Sequence, residues 1–233
     1  MFDFVNGEIL LFDKPYTWTS FDVVRLIKNC LKKNLPVPVK VGHAGTLDPL
    51  ATGMLIVLTG KKTRDMELIQ AQEKEYIGTF TVGATTPSFD RETDIDQTFQ
   101  INHLTDELIY NTAKTFVGEI MQFPPAHSAV KVDGKRAYEY ARKSKDVEIK
   151  PRPVIISEFE ITRIDLPEID FRVVCSKGTY IRSLAHDFGK ALDAGAYLSS
   201  LCRTRIGEYK LEDAMHPKEF TVLIEKLKEE KAI

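Results

Sequence analysis

Asp48 lies in a loop-forming stretch that could present a reactive carboxylate. The thirteen residues from Val41 to Gly53 contain three glycines and one proline, a composition that excludes a regular helix or a central strand. Glycine permits positive φ and close backbone approach, and Pro49 biases Asp48 toward extended or turn geometry. The apolar run Met54–Leu58 follows and predicts a buried strand. A carboxylate on such a loop beside a rigid strand is a common arrangement for a reactive group, but a simple turn with a capping aspartate has the same composition.

Five further side chains are candidates for binding, although each has an ordinary structural interpretation. A lone histidine such as His43 is usually structural, and Tyr76 on an alternating strand most often fills a core. Tyr180 could pack a helix, Arg182 could be a surface charge, and Leu201 could be a core residue. Next to a pocket, a tyrosine ring could instead stack on a base, and its hydroxyl could act as an acid–base group or hydrogen-bond partner.

The bulk properties exclude several classes of protein. The chain has 233 residues, with 43% hydrophobic and 28% charged residues, which is ordinary for a globular protein. Its longest apolar runs are about five residues, far short of the ~20 needed to cross a bilayer. Three widely spaced cysteines, Cys30, Cys175 and Cys202, form neither a disulfide framework nor a zinc pattern, so a reducing cytoplasm is expected. The N-terminus lacks a secretion pattern.

Positive charge is concentrated in one part of the chain. The net charge is −2, but the segment from Lys131 to Arg152 contains eight basic and four acidic residues. Such a run could be a solvated face or an arm that contacts phosphates. Lys14, after the first predicted strand, likewise could contact phosphate or cap a turn.

Strand and helix patterns occur along the whole chain. Thr19 with Asp22 predicts a helix start of the capping-box type, and Thr105 predicts a second helix over 106–116. The predicted strands are 8–12, 54–58, 75–82, 154–164 and 168–175, and further helices are predicted at 61–71, 137–143, near Thr179 and at 217–233. Asp133-Gly134 predicts a hairpin turn.

The segment Gly42–Gly53 closely resembles the catalytic motif of the tRNA pseudouridine synthase B family. Other stretches fit the same family in the same order: Lys14-Pro15 with Ser20, Gly83–Asp90, Gln122–Arg142, Lys177–Arg182, and Leu201 with Arg203. The chain departs from the family pattern at Thr17, Pro87 and Cys202, where glycine, an acid and a second arginine are usual. The resemblance extends from about Gly7 to Tyr209, which is nearly the whole chain.

The resemblance implies an α/β fold, with a mixed, largely antiparallel sheet flanked by helices, known as the pseudouridine synthase fold. It implies one catalytic domain over residues 1–233, with a thumb-like insertion at about 122–152 that closes over RNA. The basic run falls in this insertion, which favours the phosphate-contacting interpretation. With a helix predicted at 217–233, we expect this chain not to carry the small C-terminal RNA-binding domain that many members have.

The implied activity is conversion of the tRNA T-loop uridine, position 55 of the tRNA, to pseudouridine. Asp48 would be the catalytic carboxylate, paired with Arg182, which favours its charged form. His43, Tyr76, Tyr180, Arg182 and Leu201 would contact the substrate. Asp48 could attack the sugar, attack the uracil ring or assist elimination, and the sequence does not choose among these routes.

The resemblance implies no metal and no organic cofactor, because the isomerisation needs none. The expected partner is tRNA, through its T-loop and stem, and we expect a monomer with no membrane and no protein partner. Two alternatives keep part of this interpretation: a pseudouridine synthase acting on another structured RNA, and an RNA-binding protein that folds tRNA. A glycosidase fits less well, since hydrolysis typically uses two carboxylates and only Asp48 is singled out.

Overall fold

The computed structural model describes residues 2–125 and 149–230, and the backbone of residues 131–132 and 135–136. The strands are β1 (Ile9–Lys14), β2 (Val41–His43), β3 (Thr52–Thr59), β4 (Lys74–Val82), β5 (Ala84–Thr85), β6 (Gln97–Thr98), β7 (Gly118–Gln122), β8 (Lys131–Val132), β9 (Lys135–Arg136), β10 (Arg152–Asp165), β11 (Glu168–Cys175), β12 (Ala196–Ile206) and β13 (Tyr209–Lys210). The helices are α1 (Ser20–Asn34), α2 (Met66–Ala71), α3 (Asp106–Thr115), α4 (Ile181–Ala191) and α5 (Pro217–Glu229), and 3-10 turns cover Gly60–Asp65 and Leu211–Asp213.

The chain divides into two compact units. Residues 1–76 with 202–233 form the first unit, and residues 77–201 form the second. The boundaries fall inside two strands, after Tyr76 in β4 and after Leu201 in β12. The first unit is therefore built from two segments that are distant in sequence, and the second unit from one continuous segment.

Strand β3 is the centre of the first unit. It pairs antiparallel with β1, from Ile9 opposite Leu58 to Lys14 opposite Gly53, and antiparallel with β2. Its start pairs in parallel with the part of β12 that carries Cys202 and Arg203. Because β3 is buried along almost its whole length, it consists of a continuous apolar run rather than an alternating one.

The two faces of β3 belong to two different hydrophobic clusters. Leu55 and Val57 point into one cluster, and Met54, Ile56 and Leu58 point into the other, as the two-residue period of a strand requires. Helices α1 and α5 cover the first cluster, which contains Phe12, Val23, Ile27, Leu31, Phe220 and Ile224. The second cluster is closed by Ala44, Ile69 and Ile206.

The second unit is organised around the long hairpin of β10 and β11. These strands pair antiparallel, and β10 also pairs antiparallel with β7. Five aromatic rings form its core, with neighbouring ring centroids 4.1–6.3 Å apart: Phe80, Phe116, Phe159, Phe171 and Phe188. Phe188 brings α4 against the strands, and Phe116 follows directly after α3.

The predicted α/β class, with a mixed, largely antiparallel sheet and flanking helices, is confirmed. Both capped helix starts are also confirmed, since Thr19 and Thr105 are the N-caps of α1 and α3. The predicted helix at 61–71 is instead a 3-10 turn followed by α2, and α4 begins at Ile181 rather than near Thr179. Strands β2, β7 and β12 were not predicted from the sequence.

The insertion is only partly within the described residues. Strands β8 and β9 pair antiparallel, while the turn predicted at residues 133–134 and the helix predicted at 137–143 lie outside the described part. Within the described part of the chain, no helix combines the length and the apolar composition needed to span a bilayer.

Candidate active site

Asp48 lies on the loop between β2 and β3, in the first unit. His43 at the end of β2 pairs with Val57, and the loop then rejoins the sheet at Thr52. The backbone turns tightly at the acid, because the Ala51 amide donates to the Asp48 carbonyl at 3.1 Å. Asp48 is half-buried, between the buried Leu47 and the exposed Pro49.

Ser20 fixes the residue before Asp48. The Leu47 amide donates to the Ser20 hydroxyl at 2.8 Å, and this hydroxyl lies 3.1 Å from the Leu47 carbonyl, to which it donates. Ser20 is 3% exposed and is the first residue of α1, whose start is held by the reciprocal Thr19–Asp22 capping box. The position of Leu47 is therefore tied to a rigid helix start.

Lys14 fixes the residue after Asp48. Its ammonium donates to the carbonyls of Trp18 at 2.6 Å, Pro15 at 3.0 Å and Pro49 at 3.4 Å. The side chain is fully buried, and burial lowers the pKa of Lys14 to about 8, an effect that the Asp48 carboxylate partly offsets. Of the two roles considered for Lys14, the geometry supports the one in which it holds a turn rather than an RNA phosphate.

Arg203 connects the two ends of the loop. It is 1% exposed, and it donates through Nη2 to the Gly45 carbonyl at 3.1 Å and through Nε to the Met54 carbonyl at 2.8 Å. Gly53 lies between them at φ +98°, and a Cβ there would be 2.4 Å from the Arg203 carbonyl oxygen, so only glycine fits. Three buried polar side chains thus hold the Asp48 loop, as expected of a loop that must place a reactive group accurately.

The first unit also contains His43 and Tyr76. Burial lowers the pKa of His43, which favours the neutral form of its ring. Tyr76 is 8% exposed in β4. His43 is thus partly buried and Tyr76 is buried. These positions are compatible both with a packing role and with a binding role.

Arg182 is buried in the second unit and is not a surface charge. It is 4% exposed, its Nε lies 3.6 Å from Asp90 Oδ2, and its Nη1 donates to the Ser88 carbonyl at 3.3 Å. Asp90 is itself 5% exposed and belongs to the loop in which Pro87 replaces the usual acid. Because Asp90 lies beside it, Arg182 has a counter-ion in its own unit.

Tyr180 and Leu201 are half-buried residues of the second unit. Tyr180 is the N-cap of α4, and Leu201 lies in β12. The six predicted site residues are thus divided between the units, with Asp48, His43 and Tyr76 in the first and Tyr180, Arg182 and Leu201 in the second. The predicted ion pair of Asp48 with Arg182 joins residues of different units and stays a prediction.

A cavity of about 220 Å³ in the second unit is separate from these residues. Its wall includes Phe89 and His186, whose rings stack at 4.1 Å, together with Phe99 and Lys190. None of the six predicted site residues lines it, so it does not identify the predicted site.

Sequence reasoning assigned no role to several residues that the structure connects to the site. Ser20, Asp90 and Arg203 lay inside the family-like stretches, and that position was the available signal for them. Gln122, which bonds to the backbone of Tyr180, is the first residue of the family-like stretch Gln122–Arg142, and that position was its signal too.

Comparison with known proteins places this chain in a well-defined group. The profile of the TruB family pseudouridylate synthase N-terminal domain matches residues 28–181. The tRNA pseudouridine synthase B of Flavobacterium johnsoniae is 57% identical over 91% of this chain and 94% of its own length. The protein of the same name from Parabacteroides distasonis is 55% identical over 98% of this chain and 100% of its own.

Solved structures agree with these relatives. A chain in the crystal structure of a Cbf5-Nop10-Gar1 complex gives a TM-score of 0.73 at 31% identity, over 98% of this chain and 57% of that chain. A chain in the structure of an H/ACA RNP bound to a substrate RNA containing 2'-deoxyuridine gives 0.71 at 29% identity, over 98% of this chain and 56% of that one. This chain therefore spans little more than half the length of each.

Proposed function

This chain belongs to the TruB family of pseudouridylate synthases, and we propose that it converts the T-loop uridine of tRNA, position 55, to pseudouridine. The observation that carries the proposal is the Asp48 loop, to which Ser20, Lys14 and Arg203 each form hydrogen bonds. This loop occurs in a chain that is 57% identical to a tRNA pseudouridine synthase B. Asp48 is the catalytic carboxylate of this proposal.

The reaction rearranges bonds within a single nucleotide. The C–N glycosidic bond breaks, the uracil turns, and its C5 bonds to the same sugar carbon. The C5 proton then leaves and N1 gains a proton, so the product is an isomer of the substrate. No electrons are gained or lost overall and no group is delivered, so the chemistry needs an ionised carboxylate beside the sugar and a pocket for the freed base. The buried Lys14 ammonium attracts the Asp48 carboxylate, and this mutual attraction favours the charged form that the reaction uses.

Substrate contacts complete the proposed site. The uridine must leave its stack to reach a protein carboxylate, at a cost of a few kcal/mol. We assign His43, Tyr76, Tyr180, Arg182 and Leu201 to holding the extruded nucleotide, with Arg182 as the counter-ion of Asp48. A neutral His43 ring suits a contact with an uncharged base.

The wider assignment follows from the same family membership. We propose that residues 1–233 act as one catalytic domain, with the insertion at 122–152 contacting the T-loop and stem of tRNA. The enzyme would act as a monomer in the cytoplasm, without metal or organic cofactor.

Asp48→Asn tests the proposed chemistry. The variant should bind a T-loop stem-loop with unchanged affinity and lose product formation by roughly 10³-fold or more, because acid–base or nucleophilic participation is typically worth ~10²–10⁴ in rate. Tritium release from 5-tritiated uridine measures the product. Asp94→Asn, at an exposed aspartate, is the matched control and should retain full activity. An active Asp48→Asn enzyme would refute the assignment of Asp48.

One observation favours a second candidate, an RNA other than tRNA. A chain that resembles this one occurs in an H/ACA RNP bound to a substrate RNA. Mapping pseudouridines in cells that lack this protein separates the candidates. Loss of the T-loop modification supports the tRNA assignment, whereas its retention with loss elsewhere supports the second RNA.

A further inference from the structure

Gln122 forms two hydrogen bonds to the backbone of Tyr180. Its Oε1 accepts from the Tyr180 amide at 2.7 Å, and its Nε2 donates to the Tyr180 carbonyl at 3.1 Å. The Gln122 side chain is 1% exposed, so solvent cannot replace these bonds. The Tyr180 amide therefore has a side chain from the end of β7 as its acceptor, and the Tyr180 carbonyl accepts from Gln122 in addition to the Leu184 amide at 3.0 Å.

These bonds replace the local capping that α4 lacks. Tyr180 is the N-cap of α4 and makes no side-chain cap bond. In a capping box, a Glu or Gln at the third helical position would accept from the N-cap amide. Here that position is Ser183, whose hydroxyl instead donates to the Phe123 carbonyl at 2.6 Å. The start of α4 is thus fixed by Gln122 and Phe123 rather than by its own sequence.

The other end of the insertion also contacts Tyr180. Arg152 is the Cα partner of Gln122 in the β7–β10 pair, and its guanidinium carbon lies 5.8 Å from the centre of the Tyr180 ring. An arginine at that distance over a tyrosine ring is within the range of a cation–π contact. Gln122 therefore holds the Tyr180 backbone while Arg152 lies over its ring.

We propose that Gln122 and Arg152, the paired first and last residues of the insertion, are positioning residues that set Tyr180 for catalysis. The proposal rests on the proposed function, in which Tyr180 contacts the nucleotide.

Gln122→Met tests the proposal, because methionine keeps the length of the side chain and removes both hydrogen bonds. We expect the single-turnover rate constant on a T-loop stem-loop to fall by roughly 10–100-fold, since a displacement of about 1 Å in a site can cost 10²-fold. The KM should change by less than about threefold, because the RNA contacts remain. Full reaction amplitude would show that the enzyme is folded. Gln100→Met, at an exposed glutamine, is the matched control.

A double-mutant cycle with Tyr180→Ala separates positioning from general stabilisation. If Gln122 acts through Tyr180, adding Gln122→Met to Tyr180→Ala should lower the rate constant little further. Arg152→Met, at a half-buried residue, provides the same cycle should Gln122→Met not fold. Effects that multiply fully in both cycles would overturn the proposal.

Hydrogen exchange gives a readout that does not depend on activity. Deuterium uptake of the peptide spanning residues 178–184 should be faster in Gln122→Met than in the wild type and in Gln100→Met, because the Tyr180 amide loses its acceptor. Unchanged uptake would overturn the proposal even if the enzyme acted on another RNA. Absence of pseudouridine formation by the wild type, in contrast, would count against the proposed function alone.

Discussion

Lys14 carries a charge that the fold has removed from solvent. Its ammonium replaces water with the carbonyls of Pro15, Trp18 and Pro49, and burial lowers its pKa to about 8. A lysine is suited to this position, because its ammonium is a compact charge that can donate in three directions. The arrangement also places a positive charge near Asp48.

Lys14→Met should change how stability depends on pH. Between pH 8 and 10.5 the unfolded wild-type chain retains the Lys14 proton and the folded protein does not. Below pH 8 the folded protein must keep a buried charge, which lowers its free energy of unfolding. As the pH rises from 8 to 10.5, the free energy of unfolding of the wild type should therefore increase relative to that of the variant, by at most about 3 kcal/mol. Urea unfolding of both proteins at pH 7.5 and pH 10 measures the change.

The same experiment on Lys28→Met, at an exposed lysine of α1, controls for the loss of one charge. The difference in free energy of unfolding between wild type and Lys14→Met could instead be the same at both pH values. That result would show that Lys14 does not titrate in this window, because its carbonyl partners offset the cost of burying its charge.

At the scale of elements, the start of α1 both stabilises a helix and holds the Asp48 loop. Thr19 caps the helix, and the next residue, Ser20, bonds to Leu47. Thr19→Ala should lower the free energy of unfolding by about 1 kcal/mol and leave the rate constant unchanged. Ser20→Ala should cost about 1–3 kcal/mol, because the buried Leu47 amide loses its partner, and should also slow single-turnover pseudouridine formation about tenfold. Equal rate constants for the two variants would show that the Leu47 contact is dispensable.

The elements that could be predicted from the sequence have local causes. Thr19 and Thr105 predict their helices because a cap acts within four residues, and 54–58 predicts β3 because a central strand must be apolar. Strand β12 was missed because Ser199, Ser200 and Thr204 interrupt its apolar residues. Those side chains bond to β4 partners, for example Ser199 to the Thr79 carbonyl and Thr204 to Glu75, which only the folded structure brings near.

The candidate site likewise combines features with local causes and contacts that form only in the folded structure. The loop composition around Asp48 points to a carboxylate of interest, and the resemblance supplies the other five residues. The Arg182–Asp90 pair, the Arg203 bonds and the Gln122 bonds connect segments far apart in sequence, and no period or short motif encodes such contacts. The sequence alone therefore does not predict the buried polar contacts that hold the candidate site residues.

At the scale of the whole molecule, the distribution of charge must account for RNA binding. A net charge of −2 gives no general attraction for a polyanion, whereas the segment from Lys131 to Arg152 has an excess of four positive charges. In α5 three lysines are balanced by three glutamates, among them Glu225, Lys226, Lys228 and Glu229. RNA binding should therefore depend on the insertion and not on the C-terminal helix.

Replacing Lys143 and Lys145 together by glutamine tests this expectation. The double variant should raise the KM for a T-loop stem-loop several-fold with kcat unchanged, because phosphate contacts position RNA without taking part in bond breaking. The slope of log KM against log salt concentration should fall by about 0.7–0.9 for each phosphate that a lysine no longer neutralises. Lys226→Gln with Lys228→Gln removes the same charge from α5 and should leave both quantities unchanged. If the two pairs weaken binding equally, net charge rather than the insertion governs the encounter with RNA.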